Sequence, residues 1–394
     1  MKPIPYGRQS INDQDIQAVL ETLQADFLTQ GPQITQFEEA FAAYVGAKYA
    51  VAVANGTAAL HLCALTLDVK PNQKVITTPI TFSASANCVR YCGGEVVFVD
   101  IDPKTYLLDI NKVRRLLESS PKGTYHGVIP VDFAGRSVDM QAYRALANEF
   151  GLWIIEDACH APGGYFQNQE GTEIRCGSGT YADLSIFSFH PVKHIATGEG
   201  GMVTTSNKRL YQRLQLLRTH GITKDKLAFQ NEKELIGGDT EVDWPGWYME
   251  MQELGFNYRL SDIHAALGLS QLRRASEGLS RRRVIAKRYA EELDNEDFVR
   301  GSSGFSCEHA YHLYVVEVED RLGLYQHLRG KMVFPQVHYI PVHLMPYYQA
   351  LGWKPGDFPN AEHYYSQCLS LPMYPSLTDE EQGYVIDQIK AYYS

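Results

Sequence analysis

The sequence predicts an α/β protein: a large, mostly parallel sheet covered by helices, followed by a smaller C-terminal α+β domain. Three observations predict it. Strand-like and helix-like segments alternate through roughly the first half of the chain, the pattern of strands joined by helical crossovers. Two strand-like runs, Val96-Val97-Phe98-Val99 and Leu152-Trp153-Ile154-Ile155, are almost continuously apolar, as strands buried on both faces are. The C-terminal third mixes strands and helices without that alternation. The 394 residues leave room for two domains, which the pattern divides into a large domain with its N-terminal segment, 1–275, and a small one, 276–394.

In chain order, Ile11, Ile16, Val19, Leu20 and Leu23 recur at helical spacing, so 11–25 reads as an amphipathic helix. Asp26-Phe27-Leu28-Thr29-Gln30-Gly31-Pro32 breaks it, and a second helix runs through Phe37 and Phe41. A strand at 49–54 leads into Asn55-Gly56-Thr57-Ala58-Ala59-Leu60. A strand, a glycine turn and a helix start together offer free N–H groups and a helix dipole to a phosphate, although many such turns hold nothing. A strand at 74–78 ends in Pro79-Ile80-Thr81-Phe82, followed by a helix at 83–91 and a strand at 96–100. Strands at 127–131 and 153–156 bracket a helix at 140–150, and strands at 183–187 and 201–205 flank a loop. A turn and helix over 257–272 precede a charged helical stretch, 273–293, leading into the second domain. That domain is expected to hold strands at 311–318 and 333–339 and helices at 322–328 and 379–393.

Composition narrows the partners. Thirty-six Lys+Arg against 46 Asp+Glu give a formal net charge of −10, which argues against nonspecific binding to nucleic acid or an anionic membrane. Seven cysteines in no repeating spacing suggest reduced thiols. Cys88 and Cys92 have no second pair to complete a zinc site, and no metal is expected. No apolar run reaches about 18 residues and the N-terminus lacks a signal-peptide core, so the expected location is cytoplasmic.

The chemistry-bearing stretch is Phe187-Ser188-Phe189-His190-Pro191-Val192-Lys193-His194, followed by Gly198-Glu199-Gly200-Gly201. A lysine on a short loop among apolar neighbours can lose enough solvation to become a nucleophile toward an aldehyde such as that of pyridoxal phosphate. Ser188 offers a hydroxyl to a phosphate, and the glycines let backbone approach a bulky ligand. A solvated lysine beside a glycine turn would look the same in isolation. Asp157, in Glu156-Asp157-Ala158-Cys159-His160, ends an apolar strand, where a desolvated carboxylate needs a cation such as a protonated pyridine nitrogen. A helix N-cap is the plainer role for it. His160 reads as a ring neighbour or a structural histidine, and Phe82 as a ring cover or a core aromatic. Gly56, Thr57, Phe82, Asp157, Ser188 and Lys193 fall in order on successive strand ends, which is where ligands sit in such sheets.

These motifs resemble the DegT/DnrJ/EryC1/StrS sugar-nucleotide aminotransferases. The resemblance runs through Thr29-Gln30-Gly31-Pro32, Asn55–Leu60, Glu156–Ala161, Phe187–Gly201 and Gly255-Phe256-Asn257-Tyr258-Arg259-Leu260-Ser261-Asp262, covering nearly the whole chain. It implies the fold type I architecture of aspartate aminotransferase, with pyridoxal 5′-phosphate as cofactor. By the same resemblance, Lys193 captures the cofactor aldehyde and moves the proton, Asp157 pairs the ring nitrogen and His160 lies by the ring. It further implies that Gly56, Thr57 and Ser188 bind the phosphate, and that Asn257 reaches the cofactor of a neighbouring subunit in a homodimer with shared sites. Tyr6, Asp26, Phe27, Leu28, Thr29, Gln336, Val337, His338 and Tyr339 match stretches that touch the sugar substrate, with Gly56, Ser188 and Asn257 close by. Pro191-Val192-Lys193-His194, the insert ending Trp247–Leu254, and Gln336–Tyr339 resemble the pseudaminic-acid branch, which aminates C4 of a UDP-linked 4-keto-6-deoxy-N-acetylhexosamine with L-glutamate as donor.

The sequence departs from the family at His160, where many relatives carry glutamine, and at Asn55-Gly56, where close ones carry Ser-Ala. Rival readings are amination of another nucleotide 4-keto sugar (a bacillosamine, legionaminic or perosamine branch) and a catalytically idle regulatory member. The second is disfavoured by intact Lys193 and Asp157. A metal-dependent hydrolase built on His190 and His194 is disfavoured by the proline between them and the lack of a nearby third ligand.

Overall fold

The structure, a computed structural model, describes residues 2–232, 243–294, 296–300 and 304–394. Its main sheet has seven strands: β1 (Tyr49–Val53), β2 (Lys74–Thr77), β3 (Glu95–Phe98), β4 (Tyr125–Ile129), β5 (Trp153–Asp157), β6 (Leu184–Ser188) and β7 (Gly201–Thr205). They lie in the order β1-β7-β6-β5-β4-β2-β3. The pairs β2–β3, β2–β4, β4–β5 and β5–β6 are parallel, the mostly parallel sheet that the alternation predicts. Only β7 runs antiparallel, to both β1 and β6. The connection over 189–200 holds no helix, and a parallel return requires a long crossover, so the chain turns straight back.

The apolar runs are explained by the two faces they serve. On β5, Ile155 packs in a cluster with Leu60, Val89, Ile186 and Leu214, while Ile154 packs in another with Val113, Leu146 and Val128. Helices α1 (Asp13–Leu23), α2 (Pro32–Val45), α3 (Gly56–Thr66), α4 (Ala84–Tyr91), α5 (Ile110–Glu118), α6 (Met140–Phe150), α7 (Lys208–Arg218), α8 (Asp262–Arg273) and α9 (Ala275–Leu293) accompany this sheet. A third cluster sits beneath the 189–200 loop. Phe189 is fully buried there, with its ring centroid 5.1 Å from Phe37 and 5.3 Å from Phe41. Each such aromatic contact adds about 0.5–1.5 kcal/mol beyond area burial, and together they anchor the loop that carries Lys193.

Two distant motifs meet at the start of α2. Asp262, fully buried, accepts from the N–H groups of Gly31 at 2.8 Å and Gln33 at 2.9 Å, capping the helix that Pro32 opens. A Cβ on Gly31 would lie 2.5 Å from Phe27 Cβ and 2.8 Å from that carboxylate, so the position requires glycine.

The C-terminal region builds a separate sheet, β8 (Val299–Arg300), β9 (Tyr314–Val318) and β10 (Cys368–Leu371), with α10 (Arg321–Gly330), α11 (Pro359–Gln367) and α12 (Asp379–Tyr393). Its core includes Ile285, Tyr289, Val316, Leu324, Leu369 and Ile386. Ile4 joins that core, because Ile4–Pro5 pairs in parallel with Val333–Phe334. Two expected strands are shorter than the sequence suggests. The stretch from 311 opens its pairing only at Tyr314, since Tyr311 takes φ +50° and gives its N–H to His309 Nδ1 at 2.8 Å. The stretch from 333 leaves its pairing with Ile4–Pro5 after Phe334, because Pro335 has no N–H to give to a ladder, and resumes only as a single bridge from Gln336 to Ser370. Among the described residues, no helix is long and apolar enough to cross a membrane.

Candidate active site

Strand ends β1, β2, β5 and β6 converge on one cavity of about 460 Å³, lined by Asn55, Gly56, Thr57, Phe82, Ser85, Asp157, Cys159, His160, Ser188 and Lys193, with Tyr6, His312, His338 and Tyr339 closing the far side. The four sequence motifs that suggest ligand chemistry therefore share a single space.

The turn after β1 is shaped by its neighbours. Asn55 caps α3, its Oδ1 accepting the Ala58 N–H at 2.8 Å, which leaves the first-turn N–H groups of Gly56 and Thr57 without an intrahelical partner. A Cβ on Gly56 would lie 3.0 Å from Ser188 Cβ, so the bare backbone and the serine hydroxyl present themselves side by side. From below, a Cβ on Gly201 would come within 2.6 Å of the Asn55 carbonyl carbon and oxygen. Gly201→Ala is thus expected to push the turn into the cavity, costing about 1–3 kcal/mol as an overpacked site does. The expected readout is cofactor affinity weakened about tenfold or more by titration, with unchanged affinity as the contrary result.

Asp157 ends β5 at 5% exposure. Its Oδ2 accepts from Ser85 Oγ at 2.7 Å and its Oδ1 from the Cys159 N–H at 3.2 Å. Among the described residues, no cation lies within ion-pair distance of it, so a buried carboxylate faces the cavity without a salt bridge. On the opposite face of the same strand, Glu156 is satisfied by the Gly177 N–H and Ser185 Oγ. Burial raises the proton affinity of both Glu156 and nearby Asp132.

Lys193 is half-buried at the cavity wall, and burial lowers its amine to a pKa of about 8 against the weaker opposing pull of Cys159 and Asp157. An amine so placed is uncharged in useful proportion near neutral pH. His160 is buried with a fixed tautomer. The Ala134 N–H donates to its Nδ1 at 3.2 Å, so Nε2 carries the proton and gives it to Tyr339 Oη at 3.2 Å. Burial also pushes the His160 imidazole well below its ordinary pKa. His338 falls to about 3 for the same reason, with Ser370 Oγ 2.9 Å from its Nδ1.

The donor set fits pyridoxal phosphate on each count: an amine for the aldehyde, a lone buried carboxylate for a protonated ring nitrogen, a helix N-terminus with a hydroxyl for the phosphate, and aromatic walls for the ring. Phe82, 60% exposed, stands 6.2 Å from the Tyr339 ring across this space.

Of the residues singled out in the sequence, Tyr6, Gly56, Thr57, Phe82, Asp157, His160, Ser188, Lys193, His338 and Tyr339 line the cavity. Asp26, Phe27, Leu28, Thr29, Asn257 and Gln336 are exposed and, with Val337, lie outside its lining within one chain. Gln336 instead exchanges backbone hydrogen bonds with Ser370 at 3.1 and 2.7 Å. The insert ending Trp247–Leu254 includes residues 233–242, outside the described residues. Sequence reasoning missed Ser85 and His312. Ser85 sits one turn beyond Phe82 on α4, a spacing that could have pointed to it, whereas nothing local marks His312.

Comparisons with known proteins agree with this chemistry. The DegT/DnrJ/EryC1/StrS aminotransferase family matches residues 9–390. The spore coat polysaccharide biosynthesis protein SpsC of Bacillus subtilis is 38% identical, over 98% of this chain and 96% of that protein. The UDP-4-amino-4,6-dideoxy-N-acetyl-beta-L-altrosamine transaminase of Campylobacter jejuni is 34% identical, again over 98% of this chain and 96% of its own length. Among solved structures, Helicobacter pylori PseC, an aminotransferase involved in the biosynthesis of pseudoaminic acid, superposes with a TM-score of 0.85 at 27% identity, covering 100% of this chain and 99% of that one.

Proposed function

The chain belongs to the DegT/DnrJ/EryC1/StrS aminotransferase family and is a pyridoxal-phosphate-dependent sugar aminotransferase of fold type I, and from that premise we propose that it transfers an amino group from L-glutamate to C4 of a UDP-linked 4-keto-6-deoxy-N-acetylhexosamine. The likeness to the Campylobacter transaminase, spread over the whole length of both chains, carries this choice of sugar. When bound, the cofactor supplies an electron sink for a carbanion beside its ring. The protein's part is positional. Lys193 would hold and move the proton, Asp157 would pair the ring nitrogen, and His160 with Tyr339 would brace the ring's surroundings. Gly56, Thr57 and Ser188 hold the phosphate. Tyr6, His338 and Tyr339 form the sugar side of the cavity.

The active unit in this reading is a homodimer, in which Asn257 of one subunit completes the phosphate site of the other and Asp26–Thr29 and Gln336–Val337 complete the nucleotide-sugar site. Two observations support it. Asp26–Thr29, Gln336 and Asn257 are exposed in a single chain, and Ile16, Leu20, Leu23, Phe27 and Leu28 are each 45–59% exposed, an apolar surface that a partner would cover. Seven unpaired cysteines support a reducing, cytoplasmic location.

Amination of another nucleotide 4-keto sugar is the second reading, favoured by the higher identity to the spore coat polysaccharide protein. Purified chain supplied with glutamate and a panel of 4-keto nucleotide sugars separates the two. The expected result is a kcat/KM about a hundredfold higher for the UDP-linked 4-keto-6-deoxy-N-acetylhexosamine than for the others, with the C4 configuration of the product read by NMR. Preference for a different sugar selects the second reading, and cofactor binding without turnover of any sugar selects the idle one.

A further inference from the structure

The side chain that meets the Lys193 amine is His312, whose Nε2 lies 3.3 Å from Nζ, the one hydrogen-bond contact of that amine among the described residues. His312 is 4% exposed and is held rigidly. Arg282, buried on α9, donates from Nη1 to the carbonyls of Tyr311 at 3.2 Å and His312 at 3.3 Å, and the His312 ring tilts against that of His160 with centroids 4.3 Å apart. The other ring nitrogen, Nδ1, is buried with no partner among the described residues. That orphan decides the tautomer. A neutral imidazole carries one N–H, and burial holds this imidazole neutral. A proton on Nδ1 would be a buried donor without an acceptor, which folded proteins avoid more strictly than an unpaired acceptor. The proton therefore resides on Nε2, and Nε2–H can donate to the lysine only when the amine has a free lone pair.

We infer that His312 is a positioning residue for Lys193, its Nε2–H holding the lysine amine uncharged and aimed into the cavity. The inference rests on the reading of Lys193 as the reactive amine. The groups facing that amine act in both senses: Asp157 and Cys159 at the end of β5 favour the ammonium, and Arg282 opposes it. His160, His194 and His338 are kept neutral by burial and add no charge of their own, while Glu199 lines the cavity wall. Against this background, the directed bond from His312 selects the form that can attack an aldehyde or accept a proton.

The test follows the capture of pyridoxal 5′-phosphate by the full-length apo-chain across pH, read by the visible absorbance of the lysine-bound cofactor. Capture rises with pH as the amine loses its proton. In His312→Gln, the amide can turn its oxygen to the ammonium, so the midpoint is expected to move up by about one unit, with capture about tenfold slower below it. His312→Asn, too short to reach Nζ, is expected to shift the midpoint in the same direction by less, and it decides the matter should the glutamine variant fail to fold. A midpoint unmoved or lowered in a variant that keeps the wild-type melting temperature overturns the inference while leaving capture at Lys193 intact. Equal capture by Lys193→Ala would instead overturn the reading of Lys193 on which it stands.

Discussion

Lys193→Ala is expected to lower kcat by about 10⁴-fold or more, because in the proposed reading one side chain serves two roles. Proton transfer by a positioned base contributes about 10²–10⁴-fold, and covalent capture of the cofactor adds to it. The folded chain tolerates the loss well, since Lys193 lies on a loop whose anchorage comes from Phe189 and Ile195, both fully buried. The variant is therefore expected to melt within a few degrees of the wild type and to lose the visible absorbance of bound cofactor. Borohydride reduction followed by peptide mass analysis gives an independent check. The wild-type peptide containing Lys193 should carry the added cofactor mass, and the same mass on any other lysine would remove Lys193 from the centre of the chemistry.

Much of this site was legible before any coordinates because its parts are local. A strand end, a glycine turn and a capped helix are written in adjacent residues, so Gly56, Thr57, Asp157, Ser188 and Lys193 could each be proposed from a few neighbours, and the strand alternation ordered them. His312 was not legible for the opposite reason. It reaches Lys193 from 119 positions away by way of a kink at Tyr311 and the carbonyls that Arg282 holds, and no spacing in the sequence records that approach. The direction of β7 lay between these extremes. Alternation alone predicts parallel strands, yet the helix-free connection over 189–200 already argues for an antiparallel return. Helices α5 and α7 were absent from the sequence reading although each has a capping residue before it, Asp109 and Asn207, whose side chain accepts from the first turn. Both were in fact written in the residues: Ile110, Val113 and Leu117 recur at helical spacing on α5, and Leu210, Leu214 and Leu217 on α7, each turned to the sheet's core.

Asp157→Asn separates the two halves of the chemistry. Asparagine fills the same space and its oxygen can still accept from Ser85 Oγ or the Cys159 N–H, the two bonds that hold the carboxylate. It lacks the charge that, in the proposed reading, would hold a proton on the cofactor's ring nitrogen. Removing one partner of a buried ion pair costs about 3–5 kcal/mol, and since each 1.4 kcal/mol is a factor of ten, turnover is expected to fall by about 10²- to 10⁴-fold. Capture by Lys193 needs no charge on the ring, so the lysine-bound absorbance should persist, moved in wavelength, with the cofactor held less tightly. Lys193→Ala loses absorbance and turnover together, whereas Asp157→Asn keeps the first and loses the second. That contrast follows from a buried carboxylate held by a hydroxyl and an amide, with no cation at ion-pair distance among the described residues. An asparagine variant turning over within about threefold of wild type, less than the roughly 1 kcal/mol of an ordinary neutral hydrogen bond, would mean that the ring nitrogen finds its counter-charge elsewhere.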